Sequence, residues 1–363
     1  MSFAVRESQA RTPNGNGPTL CEDLHTGIKT FARLLKAANI ALAKQGAALP
    51  GRDLVLRMSA EFRDRILAFA LAEPLLNPLE TGFIRRSIQS QWGPWFWRCG
   101  CWNDSRFKPY GYAGDFRILE TLYDLETHAG RDPTRSGMEN LLAALCADLA
   151  GTRGLWERRK WLKTVLLEAL HRKRGKLRVL DMAAGGARPI RDFLAEIPMP
   201  DRLEIWLYDQ DPAAAAYRAT IMPSLSNTLI RNVTKPLRKL GPEDFPGRFD
   251  VVICAGWFDY LENAPATRLL SALHAAKAPD GTLAITCSHA EDASRLARSW
   301  IMEWPLHYRT PEEAAALFPA GAEPVIEVSP EGAMILAKCG PAQAAPAAPQ
   351  RGYVSRRALL GSD

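Results

Sequence analysis

The chain has 363 residues, 47% of them hydrophobic, so it is long enough to bury the cores of two domains. Its formal net charge of +6 permits binding to nucleic acid or anionic ligands without requiring either. No apolar run reaches the roughly 18 residues of a membrane span, and the cysteines lack zinc or disulfide spacing. We therefore exclude a membrane protein and a metal-binding module, and expect a protein of the reducing cytoplasm.

The N-terminal part of the chain is predicted to be mainly helical. Residues 1–20 are polar and rich in Gly, Pro and Asn, which favours disorder. Apolar residues recur at helical spacing over 24–40 and 54–69, which predicts two helices. The stretch 85–116 is aromatic and rich in turn residues, and a third helix is expected at about 138–149. The aromatic residues Trp92, Trp95, Phe96, Trp97 and Trp102 are interpreted as core, with an aromatic pocket as the alternative.

Residues 108–115 have the sequence Lys-Pro-Tyr-Gly-Tyr-Ala-Gly-Asp, which is unusual for a simple connection. Its two glycines permit tight turns, and Asp115 can cap a helix that begins at Phe116. We expect a lid over a ligand, with Tyr112 and Asp115 as its polar contacts. Rigid packing between domains is the alternative.

Positive charge is concentrated at 158–160 and 172–176, on the helix that precedes the first predicted strand. A basic cluster at a helix C-terminus is favoured by the helix dipole. We interpret both clusters as solvated, with a nucleic-acid patch as the alternative.

Residues 177–191 combine an apolar run, an acid, a turn of Ala and Gly, and the start of a helix. Small residues let a ligand lie against the backbone, and the free N–H groups of the helix point at that ligand. A second apolar run, 203–208, ends at Asp209, 24 positions after Gly185. An acid at about this distance can bind a ribose hydroxyl, which predicts a nucleoside cofactor.

The turn does not fit a dinucleotide, because Gly185 and Gly186 are adjacent and no third glycine follows. Asp181, at the tip of the strand, would repel a pyrophosphate but suits the cationic end of S-adenosylmethionine (SAM). The segment resembles the Asp-x-Gly-x-Gly-x-Gly turn of Rossmann-like SAM methyltransferases, with Ala183 and Ala187 replacing the outer glycines. An ordinary turn in another α/β fold is the alternative. The predicted cofactor contacts here are Asp181, Ala183, Gly185, Asp209 and Gln210.

The next strands extend this likeness. Asn232, just after a third strand at 228–231, is a candidate contact to the adenine edge, and Asp211 is interpreted as a helix cap before Pro212. Residues 249–261 resemble the fourth strand of methyltransferases, at whose end Ala255 and Gly256 lie where the methionine and acceptor meet in this fold. A helix over 265–277 and a strand over 282–287 follow.

Residues 324–328 and 333–337 flank a Ser-Pro-Glu-Gly turn, which predicts a terminal hairpin. An antiparallel hairpin on a parallel sheet is typical of methyltransferase folds. We therefore predict an α/β fold, namely a Rossmann-like class I methyltransferase sheet with a terminal antiparallel hairpin, preceded by a mainly helical N-terminal domain. Four parts are expected: a disordered N-terminus (1–20), a helical lid domain (21–150), a SAM-binding domain (151–340) and a flexible Pro/Ala-rich tail (341–363).

The segment 108–115, the turn 185–188 and residues 304–310 together resemble one methyltransferase family over roughly 80–340. That family includes the bacterial enzymes that make 3-hydroxypalmitic acid methyl ester, a quorum-sensing signal. Here Gly186 stands where the family has Pro. The resemblance implies O-methylation of a carboxylate, with a hydroxy fatty acid as acceptor.

The catalytic candidates are Tyr112, His289, Tyr308 and Arg309. Arg309 offers a fork that suits a carboxylate, with a surface salt bridge as the alternative. His289 is interpreted as a base or as a loop residue. A carboxylate acceptor needs no base, because it is already ionised.

The other functions left open are methylation of an amine, amino acid or natural-product intermediate, an RNA-modifying or nucleic-acid-binding protein, and a catalytically silent scaffold. The expected partners are SAM and a small-molecule acceptor, with neither nucleic acid nor metal, and a homodimer is left open.

Overall fold

The computed structural model describes residues 18–46, 49–129, 131–197, 202–222, 229–235 and 245–341. The disorder predicted for 1–20 and the flexibility predicted for 341–363 fall almost wholly outside these residues. Within them, no helix is long and apolar enough to cross a lipid bilayer.

The N-terminal part is helical, as predicted. Its helices are α1 (Leu20–Gln45), α2 (Arg52–Ala72), α3 (Pro78–Gln91), α4 (Gly93–Phe96), α5 (Gly100–Phe107), α6 (Phe116–His128), α7 (Gly137–Ala147) and α8 (Ala150–Arg172). The Asp115 carboxylate accepts hydrogen bonds from the amides of Arg117 and Ile118, so the predicted cap of α6 is confirmed.

The expectation of a turn-rich stretch over 85–116 was wrong for 85–91, which belong to α3, and for 100–107, which form α5. Asn77 and Glu80 form a capping box at the start of α3, and Pro78 occupies the first helical position. Proline is favoured there, because its missing N–H would have no partner in the helix in any case. Pro78 therefore starts a helix rather than ending one.

The predicted aromatic core is confirmed for three of its five residues, whereas Trp95 and Trp97 are half-buried and pack against it. Trp92, Phe96 and Trp102 have no solvent exposure. The indole of Trp92 donates to the Ile28 carbonyl and that of Trp102 to the Leu142 carbonyl, each at 2.9 Å. Both large side chains are thus buried with their polar atoms satisfied.

The second half contains a seven-stranded sheet. Its strands are β1 (Leu177–Met182), β2 (Leu203–Asp209), β3 (Leu229–Thr234), β4 (Phe249–Ala255), β5 (Lys277–Ser288), β6 (Val325–Val328) and β7 (Met334–Cys339). The order is β3-β2-β1-β4-β5-β7-β6; β7 runs antiparallel to both β5 and β6, whereas the other neighbours are parallel. The predicted Rossmann-like sheet with a terminal antiparallel hairpin is confirmed.

The remaining helices of the described residues are α9 (Arg188–Glu196), α10 (Pro212–Ile221), α11 (Asn263–Ala276) and the short α12 (Pro311–Ala315). Residues 296–304, which follow β5, pack into the same apolar core as α1, α2 and α3. The helical part therefore packs directly on the sheet domain, and the two meet at the edge where the parallel strands end.

Candidate active site

A cavity of about 550 Å³ lies at the carboxyl ends of β1, β2 and β4. The helical part closes it from the other side, through residues 108–116, the first half of α8 and the loop 302–306. Ligands of open α/β sheets bind at this edge, and the volume lies in the usual range for small-molecule sites. Seven of the predicted cofactor contacts line the cavity: Tyr112, Ala183, Gly185, Asp209, Gln210, Ala255 and Gly256.

The turn after β1 is held by hydrogen bonds at both of its faces. Ala183, Gly185 and Ala187 all have positive φ angles, of 57°, 51° and 53°. The Gly185 amide donates to Asp209 Oδ2 at 2.7 Å, and its carbonyl accepts from Arg218 Nη1 at 2.5 Å. These bonds hold a backbone conformation that non-glycine residues rarely adopt.

Asp209 closes β2 directly beside this turn. Its Oδ1 accepts a second backbone hydrogen bond, from the Asp211 amide at 2.9 Å. A carboxylate has about four lone-pair positions, so two have no partner among the described residues and can accept from a ligand in the cavity. Asp211 in turn caps α10 through the Ala213 amide, as predicted.

Asp181 lies beneath the turn and is only 4% exposed. Burial raises the pKa of Asp181 to about 7; the Arg218 guanidinium opposes this rise, Asp209 adds to it, and Arg158 opposes it weakly. Asp181 does not itself form the cavity wall, which corrects its expected role as a direct cofactor contact. When ionised, it supplies negative charge from below.

A third carboxylate, that of Glu120 on α6, covers the turn from the helical part. Glu120 is 6% exposed and forms ion pairs with Arg188 and Arg191 at the start of α9. A Cβ atom on residue 186 would overlap Glu120 Oε1, which explains a glycine at this position. The N-terminus of α9, where a phosphate would otherwise bind, thus already faces a protein carboxylate.

The segment 108–114 forms one wall of the cavity and crosses from α5 to α6. Tyr112 donates its phenol hydrogen to Asp211 Oδ2 at 2.7 Å, which ties the segment to the start of α10. Burial, together with the Asp211 carboxylate, raises the pKa of Tyr112 well above its ordinary value. A phenol in this setting is not a base at neutral pH.

The position of Asp115 corrects its expected role as a polar contact of the lid. Its Oδ1 is used entirely as the cap of α6, and the residue is not part of the cavity wall. Asn232 also differs from expectation, because it lies within β3 and accepts a hydrogen bond from Arg218 Nε at 2.7 Å. It therefore supports the turn through Arg218, outside the cavity.

The predicted acceptor-binding residues do not reach the cavity. Arg309 is 2% exposed and donates to the carbonyls of Phe258 and Leu261, so its fork is filled by backbone. Tyr308 lines a separate polar pocket with Arg309, and burial raises its pKa to about 12. Nδ1 of His289 lies 2.8 Å from the Gly332 carbonyl oxygen, away from the cavity. All three expectations were wrong: backbone carbonyls near β5 hold Arg309 and His289, and Tyr308 lies outside the cavity wall.

Sequence reasoning missed residues in one part of the cavity, around Arg158, Asp259 and Arg298, which we call its inner half. Its walls are largely apolar, and Arg158, Asp259 and Arg298 are buried charged residues among them. Arg298 pairs with Asp292 at 2.6 Å, and Asp259 accepts from the Ser288 amide at 2.6 Å.

Arg158 corrects the interpretation of 158–160 as a solvated basic cluster. It is 4% exposed, whereas Arg159 pairs with Glu126 and Asp192, and Lys160 also pairs with Glu126. The periodicity of α8 is the signal that could have found it, because position 158 falls on the same face as the buried Leu155 and Leu162.

The order of the sheet gives this chain the Rossmann-like fold of class I methyltransferases. No protein-family model matches the sequence, and no curated protein matches it significantly. A possible exported protein from Bordetella parapertussis has a similar structure; it is 13% identical, with 90% of this chain and 98% of that chain covered and a TM-score of 0.52.

Two methyltransferases crystallised with S-adenosylhomocysteine (SAH) are also similar to part of this chain. The magnesium protoporphyrin IX methyltransferase of Synechocystis is 11% identical and covers 52% of this chain and 84% of its own, with a TM-score of 0.40. The 1,6-didemethyltoxoflavin N1-methyltransferase of Burkholderia thailandensis is 20% identical and covers 52% and 80%, with a TM-score of 0.37. At these identities the likeness concerns the fold alone.

Proposed function

We propose that the protein is a SAM-dependent methyltransferase that acts on a small molecule. The observation that carries this proposal is the bond between Asp209 and the Gly185 amide, with Asp181 buried beneath the same turn. The free lone pairs of Asp209 suit ribose hydroxyls, whereas the N-terminus of α9, where a pyrophosphate would bind, already faces the Glu120 carboxylate. A nucleoside with a cationic tail fits this arrangement of charges.

The residues of the site would hold such a cofactor along one line. Asp209 and Gln210 would hold the nucleoside end, and Ala183, Ala255 and Gly256 the methionine end; all five line the cavity. Tyr112 covers the site from the lid. When bound, SAM supplies a methyl group activated by its sulfonium.

The protein's contribution to the reaction is mainly alignment and exclusion of water. The segment 108–114 and the loop 302–306 cover the cavity, and the apolar inner half receives the acceptor. Fixing acceptor and donor in line is worth up to about 7–11 kcal/mol of the barrier in favourable cases.

We further propose that the acceptor is a carboxylate with an apolar body, of the hydroxy fatty acid type. The support is that neither candidate base named from the sequence serves the cavity: Tyr112 donates to Asp211, and His289 lies away from the cavity at Gly332. A carboxylate with a pKa near 4 is ionised at neutral pH, so it attacks without a base.

The test is an activity screen with methyl-labelled SAM over hydroxy fatty acids, amino acids and amines. A carboxyl methyl ester releases volatile labelled methanol in mild alkali, whereas an N-methyl product keeps its label. We expect alkali-labile product with hydroxy fatty acids. Alkali-stable product alone would leave the methyltransferase class intact and reject the carboxylate acceptor.

A second candidate function is N-methylation of an amine. It is favoured by Asp259, a carboxylate that is 5% exposed and lies on the cavity wall, where it can bind an ammonium group. Burial raises the pKa of Asp259. The alkali step of the same screen separates the two candidates.

We also propose that the protein works in the cytoplasm. The support is a set of free, buried thiols, among them Cys99 and Cys101 with their sulfur atoms 3.3 Å apart. Thiols persist in reducing compartments. Fractionation of the producing cells tests this proposal, and recovery outside the cytoplasm would reject it.

A further inference from the structure

Arg158 is a buried cation without a counter-charge in direct contact. Its Nη2 donates to the Tyr123 hydroxyl at 2.6 Å, but its buried Nε has no hydrogen-bond partner in the described part of the chain. No ion pair joins it to a described carboxylate. An arginine has five N–H donors, and leaving buried donors unpaired costs free energy. The site is therefore built to receive an acceptor of hydrogen bonds, with negative charge.

The position of Arg158 shows where such an anion would bind. The residue is on the cavity wall, and a Cβ atom on residue 256 would come within 2.8 Å of its Nη1. Gly256 follows the end of β4 with a φ of 92°, so the backbone there turns away and leaves room for the guanidinium. Arg158 thus meets the cavity at the end of β4, beside the proposed path of the methionine.

Arg158 and Asp181, two charged residues near the end of β4, have opposite charges when both are ionised. Asp181 lies at the end of β1, in register with Ile253 of the neighbouring β4, three positions before Gly256. The Arg158 guanidinium lowers the pKa of Asp181 against the effect of burial. The methionine part of SAM carries an ammonium and a carboxylate on one carbon atom. An arginine on the cavity wall and an acid buried behind that wall match this zwitterion.

We propose that Arg158 binds the methionine carboxylate of SAM, opposite Asp181, which attracts the ammonium group. This inference rests on the proposed function. Arg158 is then a positioning residue that fixes the methionine part and so directs the methyl group into the inner half of the cavity. It also makes the protein select cofactors that carry the carboxylate.

The test is calorimetric titration with SAH and with the SAH analogue that lacks the carboxylate. A charge-assisted bidentate contact to a buried arginine is expected to make wild-type protein bind SAH roughly ten- to hundredfold more tightly than the analogue. Arg158→Met should bind both ligands with the same, weaker affinity. Arg158→Lys should keep part of the preference, because the charge remains but the fork is lost.

The matched control is Arg159→Met on the next position, which removes a guanidinium paired with Glu126 and Asp192 and should leave both affinities unchanged. The ligand comparison in wild-type protein needs no variant, so a folding defect cannot obscure the result. If SAH binds but the analogue binds equally well, the role of Arg158 is rejected while the proposed function stands. If SAH does not bind wild-type protein, both are rejected.

Discussion

The Oδ2 atom of Asp209 lies 2.7 Å from the amide nitrogen of Gly185, which joins the end of β2 to the turn after β1. The other oxygen of the same carboxylate accepts from the Asp211 amide. One side chain therefore sets the conformation of two loops at the edge of the sheet. Its remaining lone pairs can accept hydrogen bonds from the hydroxyl groups of a ligand.

Asp209→Asn should weaken SAH binding by at least about tenfold. The NH2 group of the new amide must either face a backbone N–H or take the place of the oxygen that accepts from the ribose. The measurement is calorimetric titration of both proteins with SAH. Asp280→Asn is the control, since Asp280 is an exposed acid in β5 outside the cavity. Equal affinities for wild type and Asp209→Asn would contradict the assignment of this carboxylate to the ribose.

The affinity for SAH should rise with pH up to about 7 and level off above it, because Asp181 must be ionised to attract the ammonium group. In Asp181→Asn this rise should be absent, and the affinity should stay near the value that the wild-type protein has at low pH, where Asp181 is protonated. Titrations between pH 5.5 and 8 (about the range in which the protonation of such a group changes) measure both. A pH-independent affinity in the wild-type protein would exclude Asp181 from this role.

The same carboxyl group should destabilise the ligand-free protein at neutral pH. Its pKa is raised from 3.8 to about 7 in the folded state, so between these values the folded protein holds a proton that the unfolded chain has lost. The free energy of unfolding therefore falls as pH rises through this window. Asp181→Asn should raise Tm at pH 8 while it weakens SAH binding; a lower Tm would contradict the raised pKa.

Gly114→Ala should loosen the segment 108–114 from the cavity, whereas Gly111→Ala should not. Both glycines have positive φ, of 72° and 85°, so alanine adds backbone strain of about 1–2 kcal/mol at either site. Only at 114 would the new Cβ also overlap Tyr260 and Trp304, while 111 has open space. Quenching of tryptophan fluorescence by acrylamide should increase in Gly114→Ala alone. Equal quenching in both variants would show that backbone strain, and not the overlap with Tyr260 and Trp304, causes any loosening of the segment 108–114.

Arg309→Met should lower Tm by several degrees without changing the affinity for SAH. The substitution leaves the carbonyls of Phe258 and Leu261 unpaired, at roughly 1–3 kcal/mol each. Thermal unfolding and SAH titration measure the two effects. An unchanged Tm together with a lost acceptor affinity would restore the original interpretation of Arg309 as an acceptor contact.

Much of the sheet could be predicted because its strands have local signals. The apolar run before Asp181, the small residues of the turn and the acid at 209 lie close in sequence, so one stretch of chain specifies most of the cofactor edge. The cap at Asp115 was equally local. The hairpin at the end of the chain was predicted from its Ser-Pro-Glu-Gly turn.

The inner half of the site could not be predicted in the same way, because it depends on how distant segments pack. Arg158 and Arg309 have the same side chain, yet one lines the cavity and the other supports a backbone loop. Which carbonyls surround an arginine is decided by tertiary contacts, not by its neighbours in sequence. Glu120 was missed for the same reason, since its partners on α9 lie some 70 positions away.

We expect above all that this cavity binds an adenosyl cofactor next to the carboxylates at the ends of β1 and β2, those of Asp181 and Asp209. The most direct test is titration of the full-length protein with SAH and, separately, with NAD. We predict one SAH per chain, no heat with NAD, and no SAH binding by the Asp181→Asn, Asp209→Asn double variant. Undiminished SAH affinity in the double variant, or binding of NAD in place of SAH, would contradict the account.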